Sequence, residues 1–223
     1  MAVAYDNSVT ATGFNVTSVT SGSFTISGSN RAAIVCLRFT TAVTNLTVTV
    51  GGVSGSQITG GTATTASGYH LYLWQVIAPA AGSQTASATW TETVPVFMTV
   101  MTFTGVDQTT PVTNGFGTNN TDTSIGASIT SNSGDLTATC AYDELDDALM
   151  TTNQIQEVTA VISGDVGPGT GTTTHTWTTG HAFITNNALL GGNIKAAAAG
   201  GFQAAWALTA NQGVGFTQPA EFP

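Results

Sequence analysis

Positive charge is nearly missing from this sequence: Arg31, Arg38 and Lys195 are its three cations, set against twelve carboxylates, for a formal net charge of −9 over 223 residues. A surface that grips nucleic acid displaces counterions with a basic stripe, and three scattered cations supply none. Adhesion to an anionic membrane surface is excluded for the same reason. Charged residues of both signs reach only 7%, against about a quarter in ordinary soluble domains, so neutral Thr, Ser, Asn, Gln and Gly must form most of the polar surface. Cysteine is almost as scarce. Cys36 and Cys140 both sit inside apolar runs, AAIVCLRF and DLTATCAY, where a free thiol behaves as a small hydrophobe, and buried thiols are favoured over a disulfide. No apolar run approaches the roughly 20 residues of a membrane span, and MAVAYDNSVTATG has no basic n-region followed by an apolar h-region. The expectation is a chain made in a cytoplasm and not exported by the general secretory route. Helical periodicity is nearly absent too: only ELDDALMT and NIKAAAAG read as helical, and both are too short to stand alone.

What the chain does have is apolar residues at 41%, with Val, Ile, Phe, Trp and Tyr spread throughout, which excludes a disordered chain. These residues fall in short alternating segments divided by Gly, Ser, Asn and Pro. In NLTVTVGG, Leu46, Val48 and Val50 share one face and Thr47 and Thr49 the other, and Gly51-Gly52 supplies the positive φ of a tight hairpin. YHLYLWQVI sets Tyr69, Leu71, Leu73 and Gln75 against His70, Tyr72, Trp74 and Val76. VFMTVMTF sets Phe97, Thr99, Met101 and Phe103 against Met98, Val100 and Thr102. RAAIVCLRF is longer and continuously apolar, as suits a strand covered on both faces. Ten to twelve such strands at short spacing predict one all-β domain, an antiparallel β-sandwich, over residues 1–212. An irregular tail is expected over 213–223, where Phe216, Pro219, Phe222 and Pro223 are candidate partner contacts, because such a segment cannot add a regular central strand.

In order the segments read SGSNRAAIVCLRF, a strand ending TVGG, LYLWQVIAPAAGSQTASATW, FTGVDQTTPV, TSNSGDLTATCAY and IKAAAAGGFQAAWALT. The series resembles a jelly-roll-like β-sandwich family found in bacteriophage virion proteins, including capsid decoration (cement) and fibre-type proteins. The resemblance covers nearly the whole chain, and its most specific stretches are GVDQTTPV, Gly105 to Val112, and LYLWQVIAPAAG. Both look structural: Trp74 and Trp206 suit core positions, and Asp107 suits a side chain that caps its own turn through nearby backbone N–H groups. The resemblance implies fold more strongly than function, because sandwiches host many unrelated roles.

A search for chemistry finds little. No G-x-S-x-G elbow surrounds Ser54. His70 lies in a strand, and His175 and His181 bracket THTWTTGH without the spacing of a zinc site, so solvent-facing strand positions are expected for them. The run Asp143 to Asp147 lacks the ligand order of a calcium loop and reads as a solvated acidic loop. Glu92, Glu144 and Glu157 could serve a glycosidase only if two of them met across a cleft. No catalytic residue, metal or cofactor is therefore expected. Core packing or a subunit contact is the default for Trp90 and Trp177, and stacking on sugar rings from a partly wet sheet face is the alternative, since threonines flank both in ATWTE and HTWTT. The functional expectation is a non-enzymatic virion protein, a capsid decoration protein that binds the major capsid protein or another virion protein. It would associate with itself as a homo-oligomer, a trimer. A tail fibre or receptor-binding module recognising host glycans is the alternative.

Overall fold

The computed structural model describes residues 1–145, 150–180 and 185–198. Among these, no helix forms; ELDDALMT and NIKAAAAG lie partly outside the described residues, and Lys195–Ala198 follow the last strand with an isolated bridge at Ala196. Seventeen strands run in chain order among the described residues: β1 (Ala4–Thr20), β2 (Phe24–Ile26), β3 (Ala32–Phe39), β4 (Thr47–Val50), β5 (Val53–Ser54), β6 (Ser56–Thr64), β7 (His70–Ile77), β8 (Gly82–Gln84) and β9 (Ala86–Thr104) make the first half. The second half holds β10 (Val112–Asp122), β11 (Ser124–Ser131), β12 (Leu136–Asp143), β13 (Thr151–Thr152), β14 (Ile155–Val158), β15 (Ile162–Pro168), β16 (Gly171–Thr178) and β17 (Thr185–Ile194). All the pairings are antiparallel, and the chain is an all-β sandwich.

The first sheet has the order β5-β4-β9-β3-β7-β6, with β1 added on β9, and the second has the order β10-β17-β12-β15-β14. Between them lies a core that takes Ile34 and Cys36 from β3, Leu71 and Leu73 from β7, Met101 and Phe103 from β9, Cys140 and Tyr142 from β12, and Leu190 from β17. The alternation read from the sequence accounts for this. Leu71 and Leu73 face that core while Tyr72, Trp74 and Val76 face the opposite side of the same sheet. There Val35, Leu37 and Phe39 meet Val48, Val50, Trp90 and Met98, with Phe24 and Ile26 of the small β2-β8 ribbon, so the first sheet curls around a second core of its own. Strand β3 is buried at all eight positions because it serves both cores. The β4-β5 hairpin turns at Gly51 (φ 57°) and Gly52 (φ 75°), with Val50 opposite Val53, as the paired glycines predict.

The sequence did not reveal a third layer. A small sheet, β11-β16-β13, covers the outer face of the second sheet, and Ile125, Met150 and Trp177 close over Ala141 and Leu189. Strands β12 and β17 are consequently buried on both faces.

The two main sheets are joined on one side and open on the other. On the joined side β6 and β10 run close together at a glycine seam. A Cβ on Gly117 would stand 1.9 Å from the Thr62 carbonyl oxygen, and one on Gly60 would stand 2.5 Å from that of Gly115. Only glycine permits backbones to approach so near. On the open side β1 pairs along β9 from Ala4↔Thr104 to Thr20↔Ser87. Among the described residues its other edge has no strand partner.

Candidate functional site

Two features stand out, one sealed inside and one exposed. The sealed one is a polar cluster between the second and third sheets. Alternation along β12 and β15 sends Thr137, Thr139 and Asp165 toward β16, which returns His175 and Trp177. Asp165 Oδ1 lies 2.9 Å from His175 Nδ1, and His175 Nε2 lies 2.8 Å from Thr137 Oγ1. Thr139 donates its hydroxyl to Asp165 Oδ1 and Thr152 donates to Oδ2, each at 2.5 Å. The Trp177 indole N–H donates to Thr139 Oγ1 at 2.9 Å. With Asp165 as a carboxylate, which only accepts, His175 Nδ1 carries the donated proton, and Nε2 pairs with the Thr137 hydroxyl.

Carboxylate, imidazole and hydroxyl stand here in the order used by hydrolytic triads. The resemblance stops at access: Thr137, Asp165 and His175 are each 0% exposed. A nucleophile must reach a substrate carbonyl, and this hydroxyl faces protein on every side. The cluster is a means of burying a charge with its partners satisfied. Sequence reasoning missed it because THTWTT reads as a polar strand. His175 was expected to face solvent, yet it lies fully buried because the third layer covers it.

The stacking alternative for Trp90 and Trp177 is removed by the same burial. Trp177 is 0% exposed and Trp90 is 6% exposed. The Trp90 ring packs edge-on against Phe39 at 4.9 Å. Neither indole offers a free face to a sugar. Each fills a core, which is the usual place for a tryptophan on a strand.

The other candidates are dispersed. Glu92 accepts from Thr44 N–H at 2.8 Å and from its hydroxyl at 2.7 Å, and these bonds hold its carboxyl below the usual range, the backbone one most. Glu144 is held low by Asn186, which donates at 2.6 Å, and then by Ser67. Glu157 is pushed up by burial. No two of these three share a hydrogen-bond partner among the described residues. Ser54 lies exposed in β5 just after the hairpin turn, and His70 contacts Thr64 on the neighbouring strand at 3.2 Å. Among the described residues no group of three His, Cys, Asp or Glu side chains could hold a metal ion. Asp146, Asp147, His181 and Trp206 lie outside the described residues, as do Phe216, Pro219, Phe222 and Pro223. Cys36 and Cys140 are buried free thiols from facing sheets. The Cys140 thiol is held well above its ordinary value, first by its hydrogen bond to Cys36 and then by burial, the reverse of a reactive thiolate.

Asp107 does what GVDQTTPV predicts: its Oδ1 accepts from Thr109 N–H at 2.8 Å and from Thr110 N–H at 2.9 Å. Lys195 adds an ion pair at 3.0 Å. The Thr110 bond first, and Lys195 and Thr109 after it, lower the carboxyl from 3.8 to about 2. A carboxyl whose pKa falls on folding stabilises the fold above its unfolded value and loses that contribution as pH drops through the folded one. The melting temperature is therefore expected to fall between pH 4 and pH 2. In Asp107→Asn, which keeps the acceptor oxygen and cannot ionise, that part of the fall is expected to disappear. Thermal melts of both proteins across this window check it; parallel curves would show that Asp107 contributes nothing to the acid limb.

The exposed feature is β1 with the groove beside it. Asn7 to Thr20 contains no ionisable side chain, although the chain carries a net charge of −9. Thr10, Thr12, Phe97 and Thr99 lie on the face that turns toward the second sheet, and the chain at Ala160–Ile162 rises opposite them. Together they bound an open groove of about 330 Å³. Thr99 fixes that rim by donating to the Ile162 carbonyl at 2.8 Å. At the end of the groove Phe14 is 67% exposed, its ring edge-on to Phe97 at 6.0 Å. A large exposed apolar side chain at an unpaired, uncharged strand edge is the pattern of a contact surface.

Comparison with protein-family models, with curated proteins and with solved structures finds no match to this chain.

Proposed function

We propose that this chain is a non-enzymatic structural protein that works by assembly, with the β1 edge and its groove as the surface through which it joins other subunits. The observation that carries the reading is the free edge of β1, long, without lysine or proline, and uncharged from Asn7 onward. Soluble monomers blunt such edges, since an open row of backbone N–H and C=O groups templates pairing with another chain. The buried polar cluster supports the same reading, because the arrangement with the order of a catalytic triad found among the described residues is sealed.

The specific form is the one implied by the sequence resemblance: a bacteriophage capsid decoration protein that self-associates and binds the head lattice. Neutral, threonine-rich strand faces suit burial between subunits. The glycan-binding alternative loses its support with the burial of Trp90 and Trp177. Immunogold electron microscopy, with antibody to this chain on particles purified from the same source, tests the proposal. Label on the heads is expected; intact particles without label, or label confined to fibres, would overturn it.

A further inference from the structure

We propose that the partner at β1 is a second copy of this chain, joined antiparallel about a two-fold axis at Thr12, so that Phe14 of each copy lies opposite Thr10 of the other and covers its groove. The inference rests on the reading of β1 as an assembly surface and names what occupies it. Directly opposed residues in an antiparallel pair point to the same face. Thr10 and Thr12 line the groove, so whatever stands opposite Thr10 hangs over it. The chain presents a suitable group itself, the Phe14 ring, 67% exposed and already packed on Phe97.

Charge selects the occupant. Two copies of a chain with net charge −9 repel over most of their surfaces, and that repulsion is least where both faces are neutral. The stretch Asn7 to Thr20 is such a face. A basic partner would gain nothing by choosing an uncharged edge over the acidic surface. The strand also limits the contact. Its register with β9 shifts between Gly13 and Val16, where Asn15 has φ 52°. A bulge of this kind bends the strand and ends regular pairing. Pairing about Thr12 reaches that bend at Phe14, whose ring still turns to the groove side against Phe97, and goes no further, closing a pair in place of an open stack. The register centred on Thr10 would set Phe14 against Asp6 and leave the groove empty.

Cysteine cross-linking reads the register directly. Thr12→Cys brings two thiols together at the axis, within the Cα separation a disulfide spans, whereas two Thr10→Cys side chains stand about 13 Å apart along the paired strands. Cys36 and Cys140 are no more than 1% exposed and stay out of reach of a mild oxidant. A covalent dimer is expected with Thr12→Cys and little with Thr10→Cys. In light scattering the unmodified chain is expected at twice its 22.6 kDa mass. Phe14→Asp is expected to raise the dimer dissociation constant about a hundredfold, since two buried rings are lost. Its circular dichroism is expected to stay unchanged, because the ring is 67% exposed in the single chain. A monomer at every concentration, with the edge covered by the chain's own residues, would overturn the pairing. So would a trimer, a dimer unaffected by Phe14→Asp, or cross-linking strongest at Thr10→Cys. A monomer that still labels particles refutes the pairing alone, and a Thr12 dimer absent from particles refutes only the particle assignment.

Discussion

Asp165→Ala is expected to lower the unfolding free energy by about 4 kcal/mol, among the largest effects of any single substitution in this chain. The carboxylate is fully buried and accepts from His175, Thr139 and Thr152. Its removal leaves two hydroxyls and an imidazole without their acceptor in a fully buried site, and each unsatisfied buried group costs about 1–3 kcal/mol. Thr137→Val loses a single hydrogen bond to His175 and keeps the shape, so about 1–2 kcal/mol is expected there. Urea denaturation of both variants, with slopes compared to confirm two-state unfolding, gives the difference. A loss below about 1 kcal/mol for Asp165→Ala would mean that the third sheet is held by its apolar contacts alone.

Gly117→Ala is expected to cost about 3 kcal/mol, at the upper end of what overpacking does. The new Cβ would stand 1.9 Å from the Thr62 carbonyl oxygen and 2.4 Å from its carbon, so the backbones of β6 and β10 must separate. Neither contact is the tip of a side chain that could swing aside. The seam has a second point, Gly115, whose Cβ would meet Ile58 Cγ2 at 2.4 Å and the Thr59 oxygen at 2.8 Å. Gly22→Ala is the matched control, with nothing within 4 Å of the added methyl, and a change within about 0.5 kcal/mol is expected there. Equal effects at the two positions would show that the sheets are not held together at this seam.

Much of the first half of the fold was legible in the sequence, because strands β3, β4, β7 and β9 carry clean period-2 or continuously apolar patterns. Leu71 and Leu73 against Tyr72 and Trp74, and Phe97 and Met101 against Met98 and Val100, fall on the two cores as read. Turn chemistry was equally plain at Gly51-Gly52 and at Asp107. The third layer was not legible. Its strand β16, GTTTHTWT, buries Thr173, His175 and Trp177 while showing solvent mostly threonine on the other face. A strand with threonine on both faces gives hydropathy no contrast to work with. The partners of His175 come from β12 and β15, 38 and 10 residues away, and only the sheet pairing brings them together. The β1 edge escaped for a related reason. Its residues alternate weakly, and that the strand ends a sheet is a property of topology, which no local pattern records.

Amide hydrogen exchange along β1 at increasing protein concentration tests the assembly surface most directly. Protection is expected to rise with concentration at the Thr10–Phe14 amides that point away from β9, while Ala32–Phe39, buried in both cores at every concentration, stays protected throughout. Outward-pointing amides of β1 that exchange equally fast at all concentrations, or that are fully protected at the lowest, would contradict β1 as the surface through which this chain assembles.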